Sequence, residues 1–130
     1  MSVPHELLAG DALTEAISAS MVTLYGRHYG HDRTTGTTYI NDNVVVCVLE
    51  DILSKDESSL VANGAKGASQ VIDERVAFQN GMEDEFTAEI ERLTGRQVTA
   101  FLSANQTTPG VACELFFLDA APDAAGSSQP

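Results

Sequence analysis

The sequence has few basic residues and no long apolar segment. It has 7 Lys and Arg residues against 19 Asp and Glu residues, which gives a net charge of −12. Such a chain repels phosphate backbones and anionic lipid, so nucleic-acid binding is disfavoured. The longest apolar run, Val44 to Leu49, is far too short to cross a bilayer, and the N-terminus lacks the pattern of a secretion signal. We therefore expect a cytoplasmic protein without direct membrane insertion.

The sequence also lacks the patterns of common catalytic and metal sites. Its two cysteines, Cys47 and Cys113, lie in apolar β-like runs, as expected of small buried residues in a reducing compartment. His28, His31 and Asp32 are metal-ligand types, but their spacing fits no standard zinc site. No G-x-S-x-G motif or phosphate-binding loop is present. The sequence predicts no metal, no cofactor and no enzyme activity.

The length of 130 residues and the order of the hydrophobic patterns indicate one α+β domain. A first helix is expected from a cap at Asp11 to about His28, ended by Gly30. Residues 37–41 and 44–50 form a predicted β-hairpin around a polar turn. A capping box, Ser54 to Glu57, predicts the start of a second helical region.

Gly64 and Gly67 are expected to interrupt that region before a long helix that ends at Thr94-Gly95. A second hairpin follows, with strands at 98–103 and 111–118. The predicted domain covers residues 10–118, in the order helix, hairpin, helix pair, hairpin. Its four strands form one antiparallel sheet packed with helices. Residues 1–9 are expected to be frayed, and residues 119–130 to form a disordered tail.

The last predicted strand has apolar side chains on both faces. Val111, Cys113, Leu115 and Phe117 alternate with Glu114, Phe116 and Leu118. A sheet covered on one side would leave one of these sets in water. Either helices cover both faces, or a second copy of the chain covers one of them. Together with a helix of about 26 residues, roughly 39 Å long, this pattern predicts a homodimer.

Arg75 lies on the apolar stripe of the long helix, between Val71 and Phe78. A buried guanidinium needs a partner, because isolation from water costs several kcal/mol. That partner is either an internal carboxylate such as Glu114 or a bound carboxylate or phosphate, unless the side chain reaches solvent at the edge of the stripe. Arg75 is therefore the first candidate ligand-binding residue.

A second candidate is the basic window that contains Arg27, His28, His31 and Arg33. These cations, with hydroxyl groups at residues 34–38, have the chemistry of an anion contact. They also complement the negative end of the first helix, which is the alternative interpretation.

The long helix is crowded with acidic residues. Carboxylates can bind cations or act as acid and base, but here they spread over several faces, which is typical of a solvated surface. The strong net acidity favours solubility, and less commonly indicates attraction to cations or to a basic partner. The residues concerned are Asp73, Glu74, Glu83, Asp84, Glu85, Glu89 and Glu91.

From Leu53 onward the chain resembles the small proteins named for the C component of the sodium-translocating, membrane-potential-generating (Mps) system. The resemblance is carried by an ordered set of residues and covers about half the chain clearly. The turn at residues 30–33 departs from the family pattern, which has a basic turn containing glycine and proline. The matching features are Leu53-Ser54 to Glu57, Arg75, Phe78-Gln79, Ile90-Glu91, Leu93 to Arg96, Val98 to Phe101, Ser103, Glu114, Phe116 and Leu118.

This resemblance implies an accessory or binding protein linked to a membrane system that moves cations or supplies inorganic carbon. It brings no catalytic residues with it. A protein of this kind would act through its surface, and the acidic helix is compatible with docking on a basic loop of a membrane protein. The alternative is a small-anion-binding protein or enzyme that uses Arg75 and Arg96. A cleft enclosing both arginines would favour that alternative.

Overall fold

A computed structural model describes residues 8–30 and 33–122. It confirms the predicted α+β class and the order helix, hairpin, helix pair, hairpin. The predicted frayed start falls mostly on residues outside the described range. Asp119 and Ala121, in the first part of the predicted tail, are hydrogen-bonded to the segment before β3, and residues 123–130 lie outside the described range. The elements are α1 (Gly10–Tyr29), β1 (Thr35–Asn41), β2 (Val44–Glu50), α2 (Lys55–Ala62), α3 (Ala65–Thr94), β3 (Val98–Thr107) and β4 (Gly110–Leu118).

Helix α1 buries a stripe of residues spaced three or four apart, which is why this segment is helical. The prediction that Asp11 caps it is wrong. Ala9 occupies the cap position without a side-chain hydrogen bond. Asp11 lies in the first turn, where its carboxylate interacts favourably with the positive end of the helix dipole. The predicted end is confirmed, since the N–H of Gly30 donates to the carbonyl of Gly26 at 2.8 Å. The buried residues are Leu13, Ile17, Met21, Leu24 and Tyr25.

The four strands form one antiparallel sheet in the order β1-β2-β4-β3. The first hairpin turns at Asp42 and Asn43, and Asp42 has the positive φ of 56° that such tight turns require. Strand β3 continues to Thr107, four residues beyond its predicted end. Strands β2 and β4 occupy the centre of the sheet, so the two hairpins meet there.

The capping box of α2 is confirmed. The Ser54 hydroxyl accepts from the N–H of Glu57 at 3.1 Å, and the Glu57 carboxylate accepts from the N–H of Ser54 at 2.9 Å. Gly64, with φ of 110°, separates α2 from α3. The prediction that Gly67 also interrupts the helices is wrong, because Gly67 lies inside α3. A Cβ there would meet the carbonyl oxygen of Leu60 at 1.9 Å, so this glycine lets the two helices pack closely.

The helices cover only one face of the sheet. Burial alternates along β2 and β4, with Val45, Cys47 and Leu49 buried on the helix side. Of the two predicted arrangements, helices on both faces is therefore wrong for the part of the chain described here. The uncovered side is called the open face below, and its central residues are Val44, Val46, Val48, Cys113, Leu115 and Phe117.

Candidate functional site

Arg75 is completely buried on the helix side, with 0 % exposure. Its Nε donates to Oε2 of Glu57 at 2.9 Å, and its Nη2 donates to Oε1 of the same carboxylate at 2.6 Å. Nη2 also donates to the backbone carbonyl of Ile52. Two parallel hydrogen bonds to one carboxylate are the geometry in which arginine binds most strongly. The predicted need for a partner is thus met inside the protein.

The aromatic ring of Tyr29 completes the surroundings of this guanidinium. The Cζ of Arg75 lies 3.6 Å from the centre of the Tyr29 ring, a distance at which the ring attracts a cation. Glu57 therefore has two tasks, capping α2 and neutralising Arg75. This arrangement ties together α1, α2, α3 and the segment after β2.

Glu114, named in the sequence analysis as the example of an internal partner, does not bind Arg75. It lies fully buried in a neighbouring set of polar groups, where the Tyr25 hydroxyl and Nε2 of Gln79 both donate to its Oε2, the latter at 2.8 Å. Gln79 also exchanges two hydrogen bonds with the amide of Asn105. Arg75 and Gln79 are one helical turn apart, so α3 links the two sets into one buried network.

The pKa values of the two buried glutamates move in opposite directions. Burial alone would raise the pKa of Glu57, but hydrogen bonds from Arg75 and Ser54 outweigh burial and hold it below its usual range. Burial dominates at Glu114 and raises its pKa, although the neighbouring hydroxyls of Ser103 and Tyr25 and the Gln79 amide oppose that shift. The two environments thus act in opposite directions, since the hydrogen bonds stabilise the ionised form of Glu57 and burial destabilises the ionised form of Glu114.

The centre of the network is closed to solvent. Glu57, Arg75, Gln79 and Glu114 are all at most 7 % exposed, so a substrate would have to displace the packed core to reach them. Nη1 of Arg75 and Oε1 of Glu114 have no hydrogen-bond partner within the described residues. As it stands, this chemistry orients helices and strands against one another.

Comparison with known protein families gives a match over most of the chain. The family model described as the Na+-translocating membrane potential-generating system (MpsC) matches residues 10–120. The chain belongs to the MpsC family. Searches of curated proteins and of solved structures found no match.

Several polar residues that carry the sequence resemblance to the MpsC family lie in this one network. They are Ser54, Glu57, Arg75, Gln79 and Glu114. These residues are spread over 61 positions of the sequence, yet the fold brings them together on the helix side of the sheet. The network is therefore a structural feature of this MpsC domain, and its residues are tied to one another rather than to the surface.

The other predicted arginines lie apart from this network's centre. Arg96 follows the end of α3, and its Nε donates to the carbonyl of Ala121 at 2.8 Å. From Arg75 to the end of α3 the helix rises roughly 29 Å, so Arg75 and Arg96 do not share a cleft. Arg33 donates from Nη2 to the carbonyl of Leu53 at 3.0 Å, next to the carbonyl bound by Arg75. Arg33 and Arg75 therefore donate hydrogen bonds to consecutive carbonyl groups in the segment before α2.

Arg27 and His28 face different surroundings, so they do not combine into one basic patch. Arg27 is exposed and lines a groove of about 240 Å³ between α1 and α3, together with Glu85 and Glu89. The His28 ring packs on Phe78, with 4.3 Å between ring centres. The other histidine of the predicted window, at position 31, lies outside the described residues.

Five of the seven acidic residues of α3 are exposed: Asp73, Glu74, Glu83, Asp84 and Glu85. The remaining two are engaged within the protein. Glu89 accepts from the Ser20 hydroxyl at 2.6 Å and forms an ion pair with Arg92 at 2.7 Å. Glu91 accepts from the N–H of Val98 at 2.9 Å, which ties the end of α3 to β3. The exposed five are called the acidic face of α3 below.

Neither a membrane span nor a metal cluster is found among the described residues. No helix there combines the length and the apolar character needed to cross a bilayer. No group of three or more His, Cys, Asp or Glu side chains in the described ranges has an arrangement that could hold a metal ion. Asp32, the third residue of the predicted metal window, lies outside those ranges.

Sequence reasoning missed two members of the network, Tyr25 and Asn105. Tyr25 continues the four-residue spacing of Leu13, Ile17 and Met21, so its position on the buried side of α1 was an available signal. Asn105 lies in the part of β3 that was predicted as a loop. Gln79 was recognised only as part of the resemblance, although its position one turn after Arg75 on a buried stripe was an available signal.

Proposed function

We propose that this MpsC protein is a non-catalytic cytoplasmic accessory component of a membrane system that moves cations. The observation that carries the proposal is the match of residues 10–120 to a family described by a Na+-translocating, membrane-potential-generating system. The chain would act by binding, since its buried ionisable groups are enclosed and paired rather than presented to a substrate.

The acidic face of α3 is the surface that best fits such a partner. It puts five exposed carboxylates on one helix of a chain whose net charge is −12. Cytoplasmic loops of membrane proteins are enriched in Lys and Arg, so their charge is complementary to this face. The same acidity repels anionic lipid, which favours a basic protein loop over the bilayer surface. Attraction of this kind speeds association and weakens as salt rises.

The proposal is tested by sedimenting purified protein with membrane vesicles from its host at about 50 mM and about 500 mM salt. Binding at low salt that falls at high salt is expected. A variant with Glu83, Asp84 and Glu85 changed to Gln, Asn and Gln should not bind the vesicles at low salt. The control changes Glu15, Asp42 and Glu50, three exposed acids elsewhere, to Gln, Asn and Gln and alters the net charge equally.

Two outcomes would contradict the proposal. Protein that stays in the supernatant at low salt has no partner in those membranes. Equal loss of binding in both triple variants would mean that net charge acts alone and that α3 is not the docking surface. A host strain without the protein should also show a smaller Na+-dependent membrane potential, measured with a potential-sensitive dye.

The alternative, a small-anion-binding protein or enzyme using Arg75 and Arg96, has less support from the geometry. Arg75 is ion-paired and has no exposed surface, and Arg96 lies at the far end of α3. Glu57 already accepts from Nε and Nη2 of Arg75, so a bound anion could use only Nη1, which is buried in the core.

A further inference from the structure

The open face of the sheet is apolar across all four strands. Its central row consists of Tyr39, Val46, Leu115 and Leu102, which the cross-strand register places side by side. Tyr39 is 60 % exposed and Leu102 is 58 % exposed, the two highest values among the large apolar side chains described. The two residues between them, Val46 and Leu115, are half-buried.

The central row of this face and the rows on either side of it contain no charged residue. The rows on either side of the central one pass through Cys113 and Phe117, and their only polar members are Thr37 and Asn41. Beyond these rows the nearest charged residues in the strands' sequence are Glu50 at one end and Asp42 and Asp119 at the other. In a chain with 19 acidic residues, a surface of this width without a carboxylate contrasts with the acidic helix layer on the other side.

We propose that the open face is the interface of a homodimer, in which two sheets pack face to face. This inference is independent of the membrane partner proposed above. A second copy is the occupant that the charges favour, because the protein repels itself wherever carboxylates are exposed and approaches itself most easily where there are none. A basic loop, by contrast, finds no carboxylate here to bind. Homodimer interfaces are likewise apolar and depleted in charge.

The size of the face fits a modest dimer. Four strands and three rows cover about 19 Å by about 20 Å, or roughly 400 Å² per copy in projection. Side chains that project from the sheet add to this area, so two copies would bury about 1,000 Å² in total. This value is near the lower limit for a specific interface. Paired sheets of this kind pack about 10 Å apart, with interdigitating side chains. The dimer should therefore dissociate on dilution, and the measurement must cover a range of concentrations.

The test is sedimentation velocity of the full chain from about 1 µM to about 100 µM, a range that brackets a micromolar dissociation constant. A concentration-dependent shift from monomer to dimer is expected. Leu102→Glu should raise the dissociation constant at least about tenfold, since it buries a charge opposite a second copy. Because Leu102 is well exposed on an edge strand, the variant should still fold, and circular dichroism verifies this. Val76→Glu is the matched control, being 44 % exposed but on α3 in the helix layer.

Two further measurements locate the interface. Cys113 lines a shallow depression on the open face beside Leu102, whereas Cys47 is fully buried in the core. Alkylation of Cys113 should become slower as the concentration of wild-type protein rises. In the Leu102→Glu variant the alkylation rate of Cys113 should not depend on concentration. Cys47 should be unreactive in both proteins. Raising the salt should leave the dimer unchanged or strengthen it, because screening reduces repulsion between the acidic copies.

The proposal is wrong if the wild-type protein is monomeric at about 100 µM. It is also wrong if a dimer forms that withstands Leu102→Glu and leaves Cys113 equally reactive at all concentrations, since such a dimer uses another surface. Equal weakening by Leu102→Glu and Val76→Glu would mean that added charge, and not the open face, controls association. A dimer that dissociates as salt rises would show an ionic interface and would exclude this one.

Discussion

Removing either partner of the Arg75–Glu57 pair should strongly destabilise the fold. The guanidinium has 1 % of its side-chain surface exposed and the carboxylate 9 %, so neither group can be rehydrated without opening the core. Removing one member of a buried ion pair typically costs about 3–5 kcal/mol. This is a large share of a domain stability of about 5–15 kcal/mol. Urea unfolding at neutral pH measures the loss.

The two single variants should not cost the same. In Glu57→Gln, the buried cation keeps only one neutral acceptor on the new side chain and the Ile52 carbonyl, so we expect a cost near about 5 kcal/mol. In Arg75→Met, the carboxylate keeps its hydrogen bond from the Ser54 N–H and lies closer to solvent, so about 3 kcal/mol is expected. The double variant removes both charges and should cost less than the sum of the single variants by about 2 kcal/mol.

The pH dependence has a definite sign. The pKa of Glu57 is lowered in the folded state, so its contribution is fully present above its unfolded pKa of about 4.3 and is lost as pH falls through the folded value. The difference between wild type and Arg75→Met should therefore shrink as the solution is acidified below about pH 4. Costs below about 1 kcal/mol for both single variants, or strict additivity in the double, would refute the buried pair as a coupled unit.

Three other outcomes are expected. Gly67→Ala should destabilise the fold by about 1–3 kcal/mol or more, because the new Cβ meets the Leu60 carbonyl. Gly81→Ala, in open space on the same helix, should stabilise the fold by about 0.5–1 kcal/mol. Equal urea unfolding midpoints for the two variants would contradict this. Glu114 has a raised pKa in the folded state, so the stability it contributes is fully present below its unfolded pKa of about 4.3 and is lost as pH rises. The stability of Glu114→Gln relative to wild type should therefore increase as pH rises above about 4.3, and an opposite trend would refute this. In thermal-shift assays with phosphate, bicarbonate, nucleotides and carboxylic acids, no saturable, Arg75-dependent rise in Tm is expected, since an ion-paired guanidinium in an acidic protein attracts no free anion.

Features that depend on neighbouring residues could be predicted from the sequence. The capping box at Ser54 and Glu57, the tight turn at Asp42 and the end of α1 at Gly30 each rest on contacts within a few residues. The stripe of α3 was visible because one helix face repeats its apolar residues over many turns. The requirement that Arg75 be paired also followed, since the cost of an unpaired buried charge does not depend on the fold.

Features set by long-range packing could not be predicted in the same way. Glu57 already had a complete local explanation as a capping residue, so nothing marked it as the partner of a residue 18 positions away. A glycine that breaks a helix and a glycine that lets two helices touch look alike in sequence, which is why Gly67 was misassigned. The Asp11 cap failed because the same residue type is favoured at the cap and in the first turn.

The two proposed surfaces lie on opposite sides of the domain, and this has a consequence for binding. Sheets that pack through their open faces put both helix layers outside, so a dimer presents two acidic faces of α3 rather than one. Two linked sites bind a clustered or dimeric partner more tightly than one, typically by about 10²-fold or more. Leu102→Glu should therefore weaken sedimentation with host membranes although it alters no residue of α3. If this variant is monomeric yet binds those membranes as tightly as wild type, each copy docks independently and dimerisation contributes nothing to membrane association.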